Sequence, residues 1–102
     1  MNIVFCTVPD KEKASEIAEI LINERIAACV NIVKVDESVY RWEGKLVKEP
    51  EYLLIVKTRK GNWEKLEKRI AEVHPCSVPE IASIKADNVA EPYLRWVYGE
   101  TK

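Results

Sequence analysis

Three thiols and one imidazole are the side chains of this 102-residue chain best suited to hold a transition metal: Cys6, Cys29, Cys76 and His74. Thiolates suit Cu(I) and zinc, and imidazole is a common ligand that titrates near neutral pH. Each also has a plainer reading. Free cysteine is usually a small buried hydrophobe, which applies to Cys6 in the first strand and to Cys29 at the start of the second. His74 falls at a helix end, where it can interact favourably with the last carbonyls. With one histidine, no two-histidine site exists within one subunit. A metal at His74 needs Cys76, Cys29 or Glu80 beside it, from the same chain or from a neighbour. Neither a CxxC nor a zinc-finger spacing is present, and an odd cysteine count does not make a disulfide scaffold. The reading is three free thiols in a reducing compartment.

A second set could form a ligand-binding cleft. Lys57, Thr58 and Glu80 are polar residues next to buried strand segments. Lys57 is placed to bind an anion, and Glu80 to pair with it; the alternative is a structural ion pair at a subunit interface. Tyr40 and Trp42, near a turn, can stack on a ligand or pack against another subunit, because aromatic residues are enriched in interface cores. Trp63 and Trp96 read as core or helix-staple residues.

These residues must be positioned by seven elements. Residues 2–8 form a short apolar run that Pro9 ends, which predicts a buried strand. Asp10 can cap a helix over 11–25, whose Ala14, Ile17, Ala18 and Leu21 keep a three/four spacing. Residues 28–42 and 45–58 predict two long strands joined at Glu43-Gly44. Pro50 cannot donate to the ladder, so an edge position or a bulge is expected there. Asn62 is the expected cap of a helix over 63–73, which His74-Pro75 stops. Residues 79–87 suit a fourth strand. Asn88 to Glu91 has capping-box spacing before a short last helix that ends near Gly99. The order strand, helix, strand, strand, helix, strand, helix is the split βαβ, ferredoxin-like α+β arrangement, βαββαβ with a C-terminal helix, over one domain of residues 1–102.

The long hairpin carries further information. Each arm of about 14 residues spans roughly 45 Å, against about 21 Å for a helix of that length. One subunit's helices cannot cover the distal half, which carries Val35, Val39, Tyr40, Trp42, Leu46 and Val47. An uncovered apolar ribbon is an aggregation hazard and marginal in water. Hairpins from several subunits are therefore expected to pair in a closed ring.

Composition closes off several classes. Sixteen basic against seventeen acidic residues give a net charge of −1, so the electrostatic drive for nucleic-acid binding is absent. No apolar run nears the roughly 20 residues of a membrane span. Residues 1–10 are too short and too uncharged for a signal peptide, which leaves a cytoplasmic expectation. Fourteen Glu and eleven Lys with no Gln point to a thermophilic source.

Several segments together resemble the CutA family of divalent-cation tolerance proteins. They are Cys6-Thr7-Val8-Pro9-Asp10, Arg25-Ile26-Ala27-Ala28-Cys29-Val30-Asn31, Tyr40-Arg41-Trp42-Glu43-Gly44-Lys45, Lys57-Thr58, His74-Pro75 with Val78-Pro79-Glu80-Ile81, and Tyr93-Leu94-Arg95-Trp96. They run in order along essentially the whole chain. The resemblance implies a ferredoxin-like subunit in a PII-like homotrimer, binding of copper or another divalent metal, and a part in metal tolerance. It implies no enzymatic reaction, although a small-molecule or regulatory role is often suspected for this architecture. Where the family usually reads His-Pro-Tyr, this chain reads His74-Pro75-Cys76, which loses an aromatic hydroxyl and gains a thiol.

The expected function is thus a non-enzymatic homotrimeric copper-binding, metal-tolerance protein. The alternative is a regulatory trimer that binds a small molecule or partner, with metal binding incidental. A copper chaperone would want paired cysteines after the first strand, where only Cys6 is present. An acylphosphatase-like hydrolase would want an anion-cradling loop, but Thr7-Val8-Pro9-Asp10 lacks glycine and arginine. The basic, glycine and aromatic pattern of an RNA-recognition sheet is also missing.

Overall fold

The computed structural model covers residues 1–102. It runs β1 (Asn2–Val8), α1 (Lys11–Asn23), β2 (Cys29–Trp42), β3 (Lys45–Thr58), α2 (Trp63–Val73), β4 (Ile81–Lys85) and α3 (Glu91–Glu100). The strands form one antiparallel sheet in the order β2-β3-β1-β4, so the first strand lies inside the sheet. No helix is long and apolar enough to cross a membrane.

The core occupies one face of the sheet. Ala14, Ile17 and Leu21 of α1 and Leu66 and Ile70 of α2 pack onto Val4, Cys6, Val8, Leu54 and Val56. Burying each large aliphatic side chain contributes about 1.5–3 kcal/mol. Asp10 caps α1 as expected, its carboxylate accepting from the Lys13 N–H at 2.8 Å. The helix stops at Asn23, two residues early, because Arg25 takes φ 58°. That turn lets the N–H groups of Ile26 and Ala27 both reach the Leu21 carbonyl, at 2.9 and 3.1 Å, satisfying the end of the helix.

Four other expectations shift. Asn62 precedes α2 but makes no cap bond. Its amide donates instead to the Ile26 carbonyl and to Thr58 Oγ1, and Thr58 Oγ1 itself donates to Ile26 O at 2.6 Å. The three residues tie the end of β3, the start of α2 and the loop before β2 into one buried knot. The capping box at Asn88 does not form, since α3 begins after Ala90 with no side-chain cap, and β4 is confined to 81–85. Trp63 packs against the core. Trp96 does not: it stays 45% exposed and stacks on Tyr93 with ring centroids 5.8 Å apart.

In the hairpin, Glu43 and Gly44 both have positive φ, 50° and 79°, the twist that suits a tight two-residue turn. Val35 pairs with Glu51 and Ser38 with Glu49, so Asp36 and Glu37 together face Pro50. This is a bulge of two residues against one. Pro50 also lies beyond the last β1 pair, Val8 with Tyr52, so both the bulge and the one-sided pairing expected of it are found.

Alternation along the strands puts Ile3, Phe5, Leu53, Ile55, Val33 and Ile84 on the face opposite α1 and α2. None of them belongs to the core cluster, and Val33 and Ile84 are 44% and 53% exposed. The sheet therefore has two apolar faces, and the two core helices cover one.

Candidate functional site

The distal hairpin and the loop that joins α2 to β4 enclose a cleft of about 610 Å³. The hairpin supplies Tyr40, Trp42, Glu49 and Glu51; the loop supplies His74, Cys76 and Glu80; Thr7 and Pro9 close the end at β1. The hairpin residues point the same way because of register: Ser38 opposes Glu49, and Tyr40 and Trp42 follow at two-residue steps.

His74 is fixed at the end of α2. Its Nε2 lies 2.8 Å from the Thr7 carbonyl oxygen, which can only accept, so Nε2 carries the proton and donates. Nδ1 then accepts the Cys76 N–H at 3.0 Å. Both ring nitrogens are thus engaged in pinning the loop to β1, and neither presents a free lone pair to a metal.

The carboxylates of the cleft act on their neighbours. Tyr40 donates its hydroxyl to Glu49, and that bond, with the negative charge behind it, pushes the phenol up to about 12. Cys6, fully buried under the sheet, is pushed up to about 12 by burial first, then by Glu80, Cys76 and Glu51. It is a neutral thiol at physiological pH.

The expected site residues therefore divide. Tyr40, Trp42, His74, Cys76 and Glu80 meet in the cleft. Cys6 abuts it from the core side. Cys29, Lys57 and Thr58 lie elsewhere. Cys29 pairs with Lys57 and Lys57 with Ile3, roughly 13 Å along β1 from Thr7 at a strand's rise per residue. Lys57 does not pair with Glu80: its ammonium donates to Asn31 and to the Ile55 carbonyl. Thr58 is committed to the buried knot with Asn62 and Ile26. Cys29 lies near Tyr93, whose hydroxyl is raised by burial and then by that thiol. No three His, Cys, Asp or Glu side chains converge where they could hold a metal ion, so the residues of one chain do not make a closed metal site. The sequence reading missed Glu49 and Glu51. Their placement either side of Pro50 is the signal, since residues two apart on a strand share a face.

A profile of the CutA1 divalent ion tolerance protein family matches residues 2–100. The chain belongs to that family. The divalent-cation tolerance protein CutA of Pyrococcus horikoshii is 44% identical over 102 residues, covering 100% of this chain and 99% of the relative. The crystal structure of CutA1 from that organism superposes with a TM-score of 0.96 over 100% of this chain and 99% of that one. A structure titled PII-like protein CutA, from a Nostoc species in apo form, is 38% identical with a TM-score of 0.93, covering 100% and 98%. Another, titled the periplasmic divalent cation tolerance protein CutA of Archaeoglobus fulgidus, is 31% identical with a TM-score of 0.96, covering 99% and 98%. None of these CutA names carries a reaction, and the compartments named among CutA proteins include the periplasm.

Proposed function

We propose that this CutA protein is a non-enzymatic homotrimer that binds copper or another divalent cation and acts in metal tolerance. The observation that carries the assembly is the second apolar sheet face. Ile3, Phe5, Leu53, Ile55, Val33 and Ile84 lie on it, together with a hairpin that leaves Val39 56% and Leu46 62% exposed. Surface of that kind is buried in a stable protein, and closed rings of identical subunits bury it symmetrically. The cation reading rests on the relatives' names. Because one chain gathers no three-ligand set, the ligands are drawn from more than one subunit, with Cys29 and Cys76 as the thiols that are neither fully buried nor disulfide-bonded. The unpaired thiols favour a reducing compartment, the cytoplasm.

Native mass spectrometry of freshly reduced protein, with and without one copper equivalent per chain, tests both parts. The expected result is a trimer that gains copper in a fixed ratio and loses it in Cys29→Ser or Cys76→Ser. A 12 kDa species at micromolar concentration refutes the assembly, and scattered adducts refute the specific site.

A second reading is favoured by the cleft itself. A concave site with aromatic walls and convergent polar groups is how small-molecule sites are built. In this reading the trimer is a PII-like regulator and cation binding is incidental.

A further inference from the structure

Lys57 is the one charged side chain buried within the subunit, 8% exposed, and it has no carboxylate partner. Its ammonium donates to the Asn31 side-chain oxygen and to the Ile55 carbonyl. Both acceptors are neutral, and an ammonium carries three donors, so one is left over. None of the chain's five ion pairs includes it. A lysine this deeply buried is almost always paired, because neutral acceptors do not return what the charge loses on leaving water.

Register sets where that charge sits. Lys57 opposes Ile3 of β1 and Cys29 of β2, so it lies on the sheet face opposite α1 and α2, at the end where β3 finishes. Glu51 is six residues earlier in β3, on the same face and about 20 Å away. Glu80 directly precedes β4, whose Ile81 opposes Cys6, so it stands at that same far end. The face thus carries an ammonium at one end, two carboxylates at the other, and the apolar rows of Ile3, Leu53 and Ile55 between them. No ion pair engages Glu51 or Glu80, and no lysine or arginine lines the cleft they border. Glu49, the third carboxylate there, already accepts the Tyr40 hydroxyl. Within one chain the two ends are too far apart to meet.

Between copies they can meet. A ring of identical subunits joins two different patches of the chain at every contact, so opposite ends of this face come together. Covering the face also removes the last water from Lys57, which makes an opposite charge from the neighbour necessary. We propose that Lys57 of each subunit is completed by a second copy of the chain, its ammonium paired with Glu51 and Glu80 of the partner subunit. This rests on the homotrimer proposed above and supplies its specific contact. The pair sets the direction of the ring, because like ends brought together repel. It also carries Cys29, which opposes Lys57 across the strands, to the cleft that holds Cys76 of the partner subunit, the juxtaposition a metal shared between subunits requires.

Dissociation of the assembled protein on dilution, followed by native mass spectrometry, is the test. The variants are Lys57→Met, Lys57→Gln, Glu51→Gln with Glu80→Gln, and the combination of Lys57→Gln with both glutamate changes. Circular dichroism checks that each subunit is folded, and Lys57→Gln keeps a donor for Asn31 should Lys57→Met fail to fold. The concentration at which half the trimer has dissociated is expected to rise at least tenfold on either side of the pair. The combined variant is expected to be no weaker than its weaker parent, since groups in contact do not lose their energies additively. A Lys57→Gln trimer as tight as the native one overturns the proposal. So do losses that simply add, because the two ends then act apart. A native protein that is monomeric at micromolar concentration overturns the homotrimer itself, a result distinct from a stable trimer indifferent to Lys57.

Discussion

Cys6 gives the sharpest test of how this interior is built. Its thiol is wholly buried and is pushed from an ordinary 9.0 up to about 12. In the unfolded chain it ionises near 9. Between pH 9 and 12 the folded protein therefore retains a proton that the unfolded chain releases, and stability falls as pH rises through that window. The slope approaches 1.4 kcal/mol per pH unit, so at pH 11 the deficit from this one group is about 2.7 kcal/mol. Whatever other groups contribute at high pH is common to a Cys6→Ala variant and cancels in the comparison. The quantity to measure is the difference in guanidinium unfolding free energy between the two proteins at pH 8, 9.5 and 11 and one fixed protein concentration. Alanine costs stability at pH 8 by leaving a small void. That cost is expected to shrink, then reverse, as the native thiol's penalty grows. A difference constant within about 0.5 kcal/mol across the series refutes the raised thiol.

Replacing Thr58 by Val leaves the buried Ile26 carbonyl and the Asn62 amide short of a partner, and thermal or denaturant unfolding is expected to show a loss of about 1–3 kcal/mol. His74→Gln removes the ring that ties Thr7 to the Cys76 N–H. Faster hydrogen exchange across residues 74–80 is expected, with copper stoichiometry in native mass spectra unchanged. Val33→Glu with Ile84→Glu puts two charges on the uncovered sheet face. Each aliphatic side chain lost from an interface forfeits about 1.5–3 kcal/mol, so dissociation to monomers at micromolar concentration is the expected outcome in native mass spectra. Iodoacetamide at pH 8 is expected to label the exposed Cys76 first and Cys6 only after unfolding, as read by peptide mass mapping.

The element order was legible because each segment advertised its type: the short apolar run at Ile3 to Val8 that Pro9 ends, the three/four spacing at Ala14 to Leu21, and Trp63, Leu66 and Ile70. What escaped was set by distant partners. Nothing local marks Arg25 for a left-handed turn, and a helix pattern runs through it. Asn62 looks like a cap, but the Ile26 carbonyl, 36 residues away, claims its amide. Of the candidate site, the halves that share a cleft could be named but not sorted. Lys57 and Glu80 are both polar residues beside buried strands. Only the register of β3 against β1, which sets Lys57 opposite Ile3, shows that they stand at different ends.

The strand order has a consequence for how the protein is made. β1 precedes the other six elements in chain order, yet it sits between β3 and β4. Its first neighbour, residues 52–58, arrives some 45 residues later, and its second, residues 81–85, some 70 residues later. The hairpin, by contrast, closes on itself as soon as it emerges. Early non-local pairing of this kind slows folding and leaves strand edges open. Until residues 81–85 emerge, Ile3 and Phe5 wait without their outer partner, so the commitment to the native sheet is co-ordinated with the emergence of β4. Translation pauses before Ile81 lengthen the time for which that edge is open to other nascent chains.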